Sequence, residues 1–204
     1  MNIFCNLPEL NTNRLTMRKM LPSDCYDMYE YASQEKVTQY LLWSPHISVG
    51  VTKTYLNSLQ RDYNRGHHTE WALIFKDNKK MIGTCGFTRL DLENKVGEIG
   101  YVLNPEYWGM GIACEATNEL LSLAFDYLKL ERVEVRYMAE NHASRRVAEK
   151  CGMTYEGVLR HSMFVKGAFC DIGICSIISC EYYKNNKQRD YSHIKTNLKR
   201  FLSK

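Results

Sequence analysis

The sequence lacks a long hydrophobic run: no apolar stretch approaches the roughly 20 residues that a membrane-spanning helix requires. Residues 1–14 contain no basic segment followed by an apolar one, so they do not match the pattern of a secretory signal. No Pro-, Gly- or Ser-rich linker and no internal repeat divides the 204 residues. These absences favour one globular domain, or one domain with an appendage, located in the cytoplasm.

The sequence also lacks a regular spacing of metal ligands. No Cys-x-x-Cys pair occurs, and two of the 6 histidines, His67 and His68, are adjacent instead of being spaced as ligands. We therefore expect reduced thiols and no metal, with a disulfide framework or a zinc site as the alternatives left open. The 8 cysteines are scattered along the chain: Cys5, Cys25, Cys85, Cys114, Cys151, Cys170, Cys175 and Cys180.

The positive net charge of +4 is unevenly distributed. Residues 184–204 contain seven Lys or Arg and one Asp, so the rest of the chain is slightly acidic. We expect a domain over 10–183 and a basic extension over 184–204. Apolar residues at helical spacing predict an amphipathic helix in this extension: Tyr191, Ile194, Leu198, Phe201 and Leu202. Docking on its own domain or on a second subunit, and recruitment to an acidic partner such as ribosomal RNA, are the two roles left open.

Hydrophobic periodicity predicts a mixed α/β chain. Strands are expected over 14–20, 70–75, 81–88, 96–103, 132–138, 154–164 and 168–182. Helices are expected from about 22, over 51–65, over 112–128, and from an N-cap at Asn141 to Gly152. The strand–helix–strand passage over 96–138 implies one parallel pair inside a mostly antiparallel sheet of about seven strands flanked by helices.

The junction between the strand over 96–103 and the following helix carries the strongest chemical signal. Gly109 and Gly111 stand where that helix begins, and unpaired N–H groups at a helix start bind phosphate when glycines let the anion approach. The segment is not a P-loop and lacks the third glycine of a dinucleotide fingerprint. A pyrophosphate loop without magnesium apparatus fits coenzyme A. The alternative is that the glycines only turn the chain.

The segment Glu-Ile-Gly-Tyr-Val-Leu-Asn-Pro-Glu-Tyr-Trp-Gly-Met-Gly-Ile-Ala-Cys-Glu-Ala, residues 98–116, resembles the central motif of the GNAT N-acetyltransferase superfamily, and more narrowly its RimJ/RimL-like branch. Residues 141–144 and 149–153 resemble the second motif of that branch, and three earlier segments match in type and order: 14–18, 43–46 and 71–74. The resemblance covers 10–183. It implies the GNAT fold, an α/β (α+β) fold whose sheet has a V-shaped splay that holds acetyl-CoA.

The resemblance further implies direct acetyl transfer from acetyl-CoA to a primary amine in a ternary complex. The acceptor would be a protein N-terminal α-amine or a small-molecule amine. Backbone N–H groups near Val102 and Leu103 would bind the pantetheine arm, and the loop over 109–113 would bind the pyrophosphate. The full set expected to bind acetyl-CoA is Tyr101, Val102, Leu103, Trp108, Gly109, Met110, Gly111, Ile112, Ala113, Asn141 and Ser144.

Candidates for the chemistry and for the acceptor pocket are fewer. Glu98 is the candidate general base, with a plain strand carboxylate as the alternative. Ser144 is the candidate acid by family analogy, with a residue that only satisfies its own helix start as the alternative. Trp43 and His46 are expected to line the acceptor pocket, against simple loop packing.

The chain departs from the family pattern at three positions. Trp108 stands where Gln or Arg is common, and Ala148 stands where many members have a tyrosine that protonates the leaving thiolate. Met153 replaces a phenylalanine. These departures keep open a catalytically weak acetyl-CoA-binding sensor or scaffold. A homodimer through exposed strand edges is a further alternative that the sequence leaves open. The basic tail alone suggests nucleic acid, which is therefore an unlikely partner apart from proximity to the ribosome.

Overall fold

The computed structural model describes residue 4 and residues 7–186 of the chain. In this part, eight strands form one open sheet in the order β1-β2-β3-β4-β5-β6-β8-β7. The strands are β1 Leu10–Asn11, β2 Leu15–Arg18, β3 Glu70–Phe75, β4 Met81–Asp91, β5 Val96–Leu103, β6 Arg132–Met138, β7 Thr154–Val165 and β8 Ala168–Ile178.

Six α-helices flank this sheet in the described residues. They are α1 Cys25–Ala32, α2 Glu35–Thr38, α3 Val49–Arg65, α4 Ile112–Ser122, α5 His142–Lys150 and α6 Ser179–Asn185. As predicted, α3 ends at Gly66, which adopts φ 68° as its C-cap, a conformation that costs glycine little. Asn141 caps α5 as expected, since its side chain accepts a hydrogen bond from the backbone of Ser144.

The sheet has one strand more than the expected number of about seven. The additional strand, β1, pairs with β2 through Leu10↔Met17 and Asn11↔Thr16. Both Leu10 and Met17 are buried in the core. A two-residue strand is too short to show alternation, so tertiary pairing and not local pattern forms it.

The pair β5–β6 is the one parallel pair among the described strands, and its pairing is short. It consists of three rungs, Val96↔Arg132, Gly97↔Val133 and Glu98↔Glu134. Beyond Glu98, β5 stays paired with β4 as far as Leu103, while β6 stays paired with β8. The two strands therefore separate after Glu98, which confirms the expected V-shaped opening.

The end of the sheet differs from the prediction of a strand over 168–182. β8 ends at Ile178 and α6 follows, because aromatic packing holds this segment against the end of α4. Tyr182 stacks on Phe125 with ring centroids 4.7 Å apart, and the Tyr183 hydroxyl donates to the Phe125 carbonyl oxygen at 2.7 Å. Phe125 lies in a π-helical turn, Leu123–Tyr127, that extends α4.

α6 also spans the boundary expected between 183 and 184. The amphipathic helix predicted in the basic extension falls on residues 187–204, which lie outside the described residues.

Three further findings concern the state of the cysteines, metal sites and membrane-spanning helices. Seven cysteines are free thiols in the described residues, and Cys5 lies outside them. No group of three or more His, Cys, Asp or Glu side chains in the described part of the chain is arranged to hold a metal ion. None of the helices described here combines the length and apolar character that crossing a membrane requires.

Candidate active site

The opening between β5 and β6 is lined by backbone groups of alternate β5 residues. The N–H of Asn104 donates to the Ile82 carbonyl oxygen on the β4 side at 2.7 Å. Successive residues of a strand direct their backbone groups to opposite edges, so those of Leu103 and Tyr101 face the opening. The Leu103 carbonyl oxygen indeed accepts a hydrogen bond from Trp108 Nε1 at 2.8 Å. The backbone groups of Val102 face β4, contrary to the expected pantetheine contact from its N–H.

The glycine loop at the start of α4 presents open backbone. Gly109 and Gly111 both adopt φ 76°, which favours glycine. A Cβ on Gly109 would meet nothing within 4 Å, and one on Gly111 would meet only Arg14 Nη2, at 3.8 Å. No described side chain caps α4, so its first N–H groups remain available. Such a helix start attracts an anion.

Arg14 and Glu115 fix the position of this loop through hydrogen bonds. Arg14 Nε donates to Glu115 Oε2 at 2.6 Å, its backbone N–H donates to Oε1 at 2.9 Å, and Nη1 donates to the Met110 carbonyl oxygen at 2.9 Å. Thr12 Oγ1 adds a bond to Glu115 Oε1 at 2.5 Å. The sequence predicts no role for either residue, although both lie in matched segments, because about a hundred positions separate them. The guanidinium thus places a positive charge beside the open glycines.

The start of α5 brings three expected residues together across the opening. Asn141 Oδ1 accepts from the N–H of Ser144 at 3.1 Å, which leaves Nδ2 as the amide group that can donate to a ligand. The Tyr101 hydroxyl donates to the Ser144 carbonyl oxygen at 2.9 Å. Burial raises the pKa of Tyr101, so this phenol stays neutral and connects β5 to α5.

Glu98 lies at the vertex of the opening, in the last rung that joins β5 to β6. Its Oε1 accepts a hydrogen bond from Thr88 Oγ1 at 2.9 Å, which orients the carboxylate. Ala148 is fully buried in α5, so this position supplies packing and no acid. Trp108 and Met110 flank the loop as exposed side chains.

Trp43 and His46 lie together in the loop that precedes α3. Their ring centroids are 5.2 Å apart, and the His46 ring makes an edge contact with Tyr55 of α3 at 6.2 Å. His46 Nδ1 also hydrogen-bonds Thr52 Oγ1 at 2.8 Å. Burial lowers the pKa of His46, so the ring is neutral at neutral pH.

The tip of the β7–β8 hairpin reaches the helical segment that precedes this aromatic cluster. Lys166 Nζ donates to the Thr38 carbonyl oxygen at 2.7 Å. The contact joins residues 128 positions apart in the chain, so it fixes the hairpin beside the loop that carries Trp43.

Comparison with known families matches residues 14–154 to the acetyltransferase (GNAT) domain. The chain belongs to the GNAT acetyltransferase family. An uncharacterised N-acetyltransferase, p20 of Bacillus licheniformis, is 34% identical over 173 residues, 85% of this chain and 97% of that protein. A ribosomal-protein-serine acetyltransferase of Escherichia coli K12 is 30% identical over 112 residues, 55% of this chain and 62% of that protein.

A crystal structure of a GNAT-family acetyltransferase from Bacillus anthracis superposes with a TM-score of 0.74 at 26% identity. It covers 84% of this chain and 99% of that chain. The GNAT fold expected from the sequence is thereby confirmed, with eight strands. The chain is an acetyl-CoA-dependent N-acetyltransferase of this family.

Proposed function

We propose that this GNAT protein transfers the acetyl group of acetyl-CoA directly to a primary amine, on a protein N-terminus or a small molecule. The observation that carries the proposal is the opening between β5 and β6 after Glu98, with the uncapped glycine loop at its outer end. An extended pantetheine arm fits a gap whose β5 backbone N–H groups pair with no neighbouring strand, and a pyrophosphate fits an uncapped helix start.

In this proposal, the loop over 109–113 binds the pyrophosphate, with Arg14 contributing positive charge. The N–H groups of Tyr101 and Leu103 bind the pantetheine arm, and Asn141 Nδ2 donates to it from the other wall. One of these N–H groups polarises the thioester carbonyl, an effect typically worth about 3–4 kcal/mol per donor.

Glu98 acts as the general base that removes a proton from the attacking ammonium, directly or through water. The neutral amine then attacks the thioester carbon, and the thiolate of coenzyme A leaves. Ser144 is the candidate acid for this thiolate by family analogy, and it lies at the start of α5, where its carbonyl oxygen accepts a hydrogen bond from Tyr101. The proton that the nitrogen loses as the amide forms restores the Ser144 hydroxyl. Residues 10–183, together with the rest of α6, form the catalytic domain in this proposal.

The test measures release of free coenzyme A thiol with a panel of primary amines and N-terminal peptides. We expect turnover that depends on both acetyl-CoA and acceptor, with no acetylated enzyme accumulating when the acceptor is omitted. Tight acetyl-CoA binding without turnover of any acceptor would contradict the proposal and favour a sensor or scaffold. Absence of acetyl-CoA binding would contradict both.

A further inference from the structure

A fully buried asparagine, Asn104, lies at the junction between β5 and a 3₁₀ turn, Pro105–Tyr107, that leads to the glycine loop. Its backbone N–H donates to Ile82, and its carbonyl oxygen accepts a hydrogen bond from the N–H of Tyr107 at 2.9 Å. Its side-chain Oδ1 accepts from the N–H of Glu106 at 3.1 Å. The strand and the turn therefore leave the amide Nδ2 of Asn104 to be paired by another element.

Glu30 of α1 accepts this remaining hydrogen bond. Asn104 Nδ2 donates to Glu30 Oε1 at 2.9 Å, between residues 74 positions apart. Lys80 Nζ donates to both carboxylate oxygens of Glu30, at 2.8 and 2.6 Å. The hydrogen bond from Lys80 and, to a smaller extent, that from Asn104 lower the pKa of Glu30 against the effect of burial, so its carboxylate is charged at neutral pH. A charged acceptor strengthens the bond that holds Asn104.

The two parts of the proposed acetyl-CoA site on either side of Asn104 are fixed without Glu30. β5 is paired with β4 as far as Leu103, and the glycine loop is bound by Arg14. Trp108 bridges back to Leu103, but its side chain is half exposed. Asn104 is the buried connection between the two parts, so its orientation sets the angle at which the turn and the loop leave the strand.

We propose that Glu30 is a positioning residue for acetyl-CoA. By holding Asn104, it sets the angle between the strand that binds the pantetheine arm and the loop that binds the pyrophosphate. A ligand that spans two sites gains affinity from both only when the geometry between them matches the ligand. Glu30 acts through Asn104 and does not contact the ligand. This inference rests on the proposed function and adds to its site a residue distant in sequence.

The test variant is Glu30→Ala, with two matched controls. Asp27 lies on the same helix and accepts a hydrogen bond from the N–H of Met81 at 2.9 Å, so Asp27→Ala loosens α1 from β4 without touching the junction. Lys80→Met removes the ion pair of Glu30 but leaves its bond to Asn104. Thermal melting shows that each variant is folded.

Calorimetry then compares two ligands for each variant. Acetyl-CoA spans both parts of the site, whereas ADP carries a pyrophosphate without the pantetheine arm and reaches only the glycine loop. Glu30→Ala should raise the Kd for acetyl-CoA about tenfold, as loss of a charged hydrogen bond does, and the Kd for ADP less than about twofold. Both controls should keep both Kd values within about twofold of the wild type. Because a general loss of stability would weaken both ligands alike, the difference between the two effects is the readout.

An equal rise in both Kd values for Glu30→Ala, or no rise in either, would overturn the positioning role while leaving the acetyltransferase function in place. So would the same selective loss of acetyl-CoA affinity in Asp27→Ala. Failure of the wild type to bind acetyl-CoA would instead contradict the proposed function itself.

Discussion

The donor side of the cleft comes mainly from one continuous stretch, residues 98–116, and from the start of one short helix. The acceptor side comes from a loop, from α3 and from strand β5, and its contributing residues are spread from Trp43 to Glu98. On the donor side, backbone N–H groups make most of the proposed contacts with acetyl-CoA. On the acceptor side, individual side chains make the proposed contacts with the amine.

This difference shows why the donor side can be predicted from the sequence and the acceptor side cannot. Backbone recognition needs glycines and a strand–helix junction, and these are local patterns. An acceptor pocket built from side chains of distant segments depends on strand order and register, which a single sequence does not display. Variants at the two sides should therefore affect different measurements.

The largest effect is expected at the vertex where the two sides meet. Glu98→Gln retains an acceptor for the Thr88 hydroxyl but removes the base, so kcat should fall about 100- to 1000-fold. The Kd for acetyl-CoA, measured by calorimetry, should not change. Glu134→Gln is the control, because Glu134 stands opposite in the same rung and its carboxylate is held by Arg132 at 2.7 Å. A pH–rate profile of Glu98→Gln identical to that of the wild type would refute the role of Glu98.

The next effect tests the donor side alone. Gly111→Val forces a β-branched residue to φ 76° and places its side chain where the pyrophosphate would bind. We expect acetyl-CoA affinity to fall about 100-fold by calorimetry, because several charged hydrogen bonds are lost together. Gly167→Val is the matched control: Gly167 also has positive φ and free space, but lies at the β7–β8 tip. An equal loss of affinity in both variants would show only a general folding defect.

Truncation of two tryptophans should have a smaller effect, in which each variant raises the KM of a different substrate. Trp43→Ala should raise the acceptor KM about five- to tenfold, as truncation of a contact aromatic does, and leave the acetyl-CoA KM unchanged. Trp108→Ala should do the reverse, because its indole holds the Leu103 carbonyl oxygen at the mouth of the opening. Steady-state kinetics with each substrate varied separately checks this. The same pattern in both variants would contradict the division between the two sides.

The smallest effect concerns the support of the glycine loop. Burial opposes ionisation of Glu115, but hydrogen bonds from Thr12 and Arg14 outweigh it and lower the pKa of the carboxyl below its ordinary 4.5. Its contribution to stability is therefore complete above that value and is lost as pH falls through the lowered pKa. Glu115→Gln should lower the free energy of unfolding by about 1–2 kcal/mol at neutral pH.

The difference in unfolding free energy between wild type and Glu115→Gln should shrink in acid, as denaturant melts at successive pH values would show. Glu93→Gln, in the exposed turn after β4, should unfold as the wild type does at every pH. A difference for Glu115→Gln that grows in acid would contradict the sign of this linkage.

The local hydrophobic pattern was sufficient to predict the central strands and the start of α5. The strands predicted over 70–75, 96–103 and 132–138 have those bounds in the structure, and Asn141 caps α5 as expected. It failed for β1, which is too short to alternate, and for α6, where Tyr182 and Tyr183 pack on Phe125 in place of continuing β8.

The sequence by itself determined the family, the donor and the location of the glycine loop, because a contiguous motif encodes a strand, a turn and a helix start. Only the tertiary structure decided that Arg14 and Glu115 brace this loop, that Tyr101 reaches Ser144 across the opening, and that Lys166 at the β7–β8 tip reaches Thr38. Such contacts depend on strand order and register, which long-range packing fixes and short-range periodicity does not.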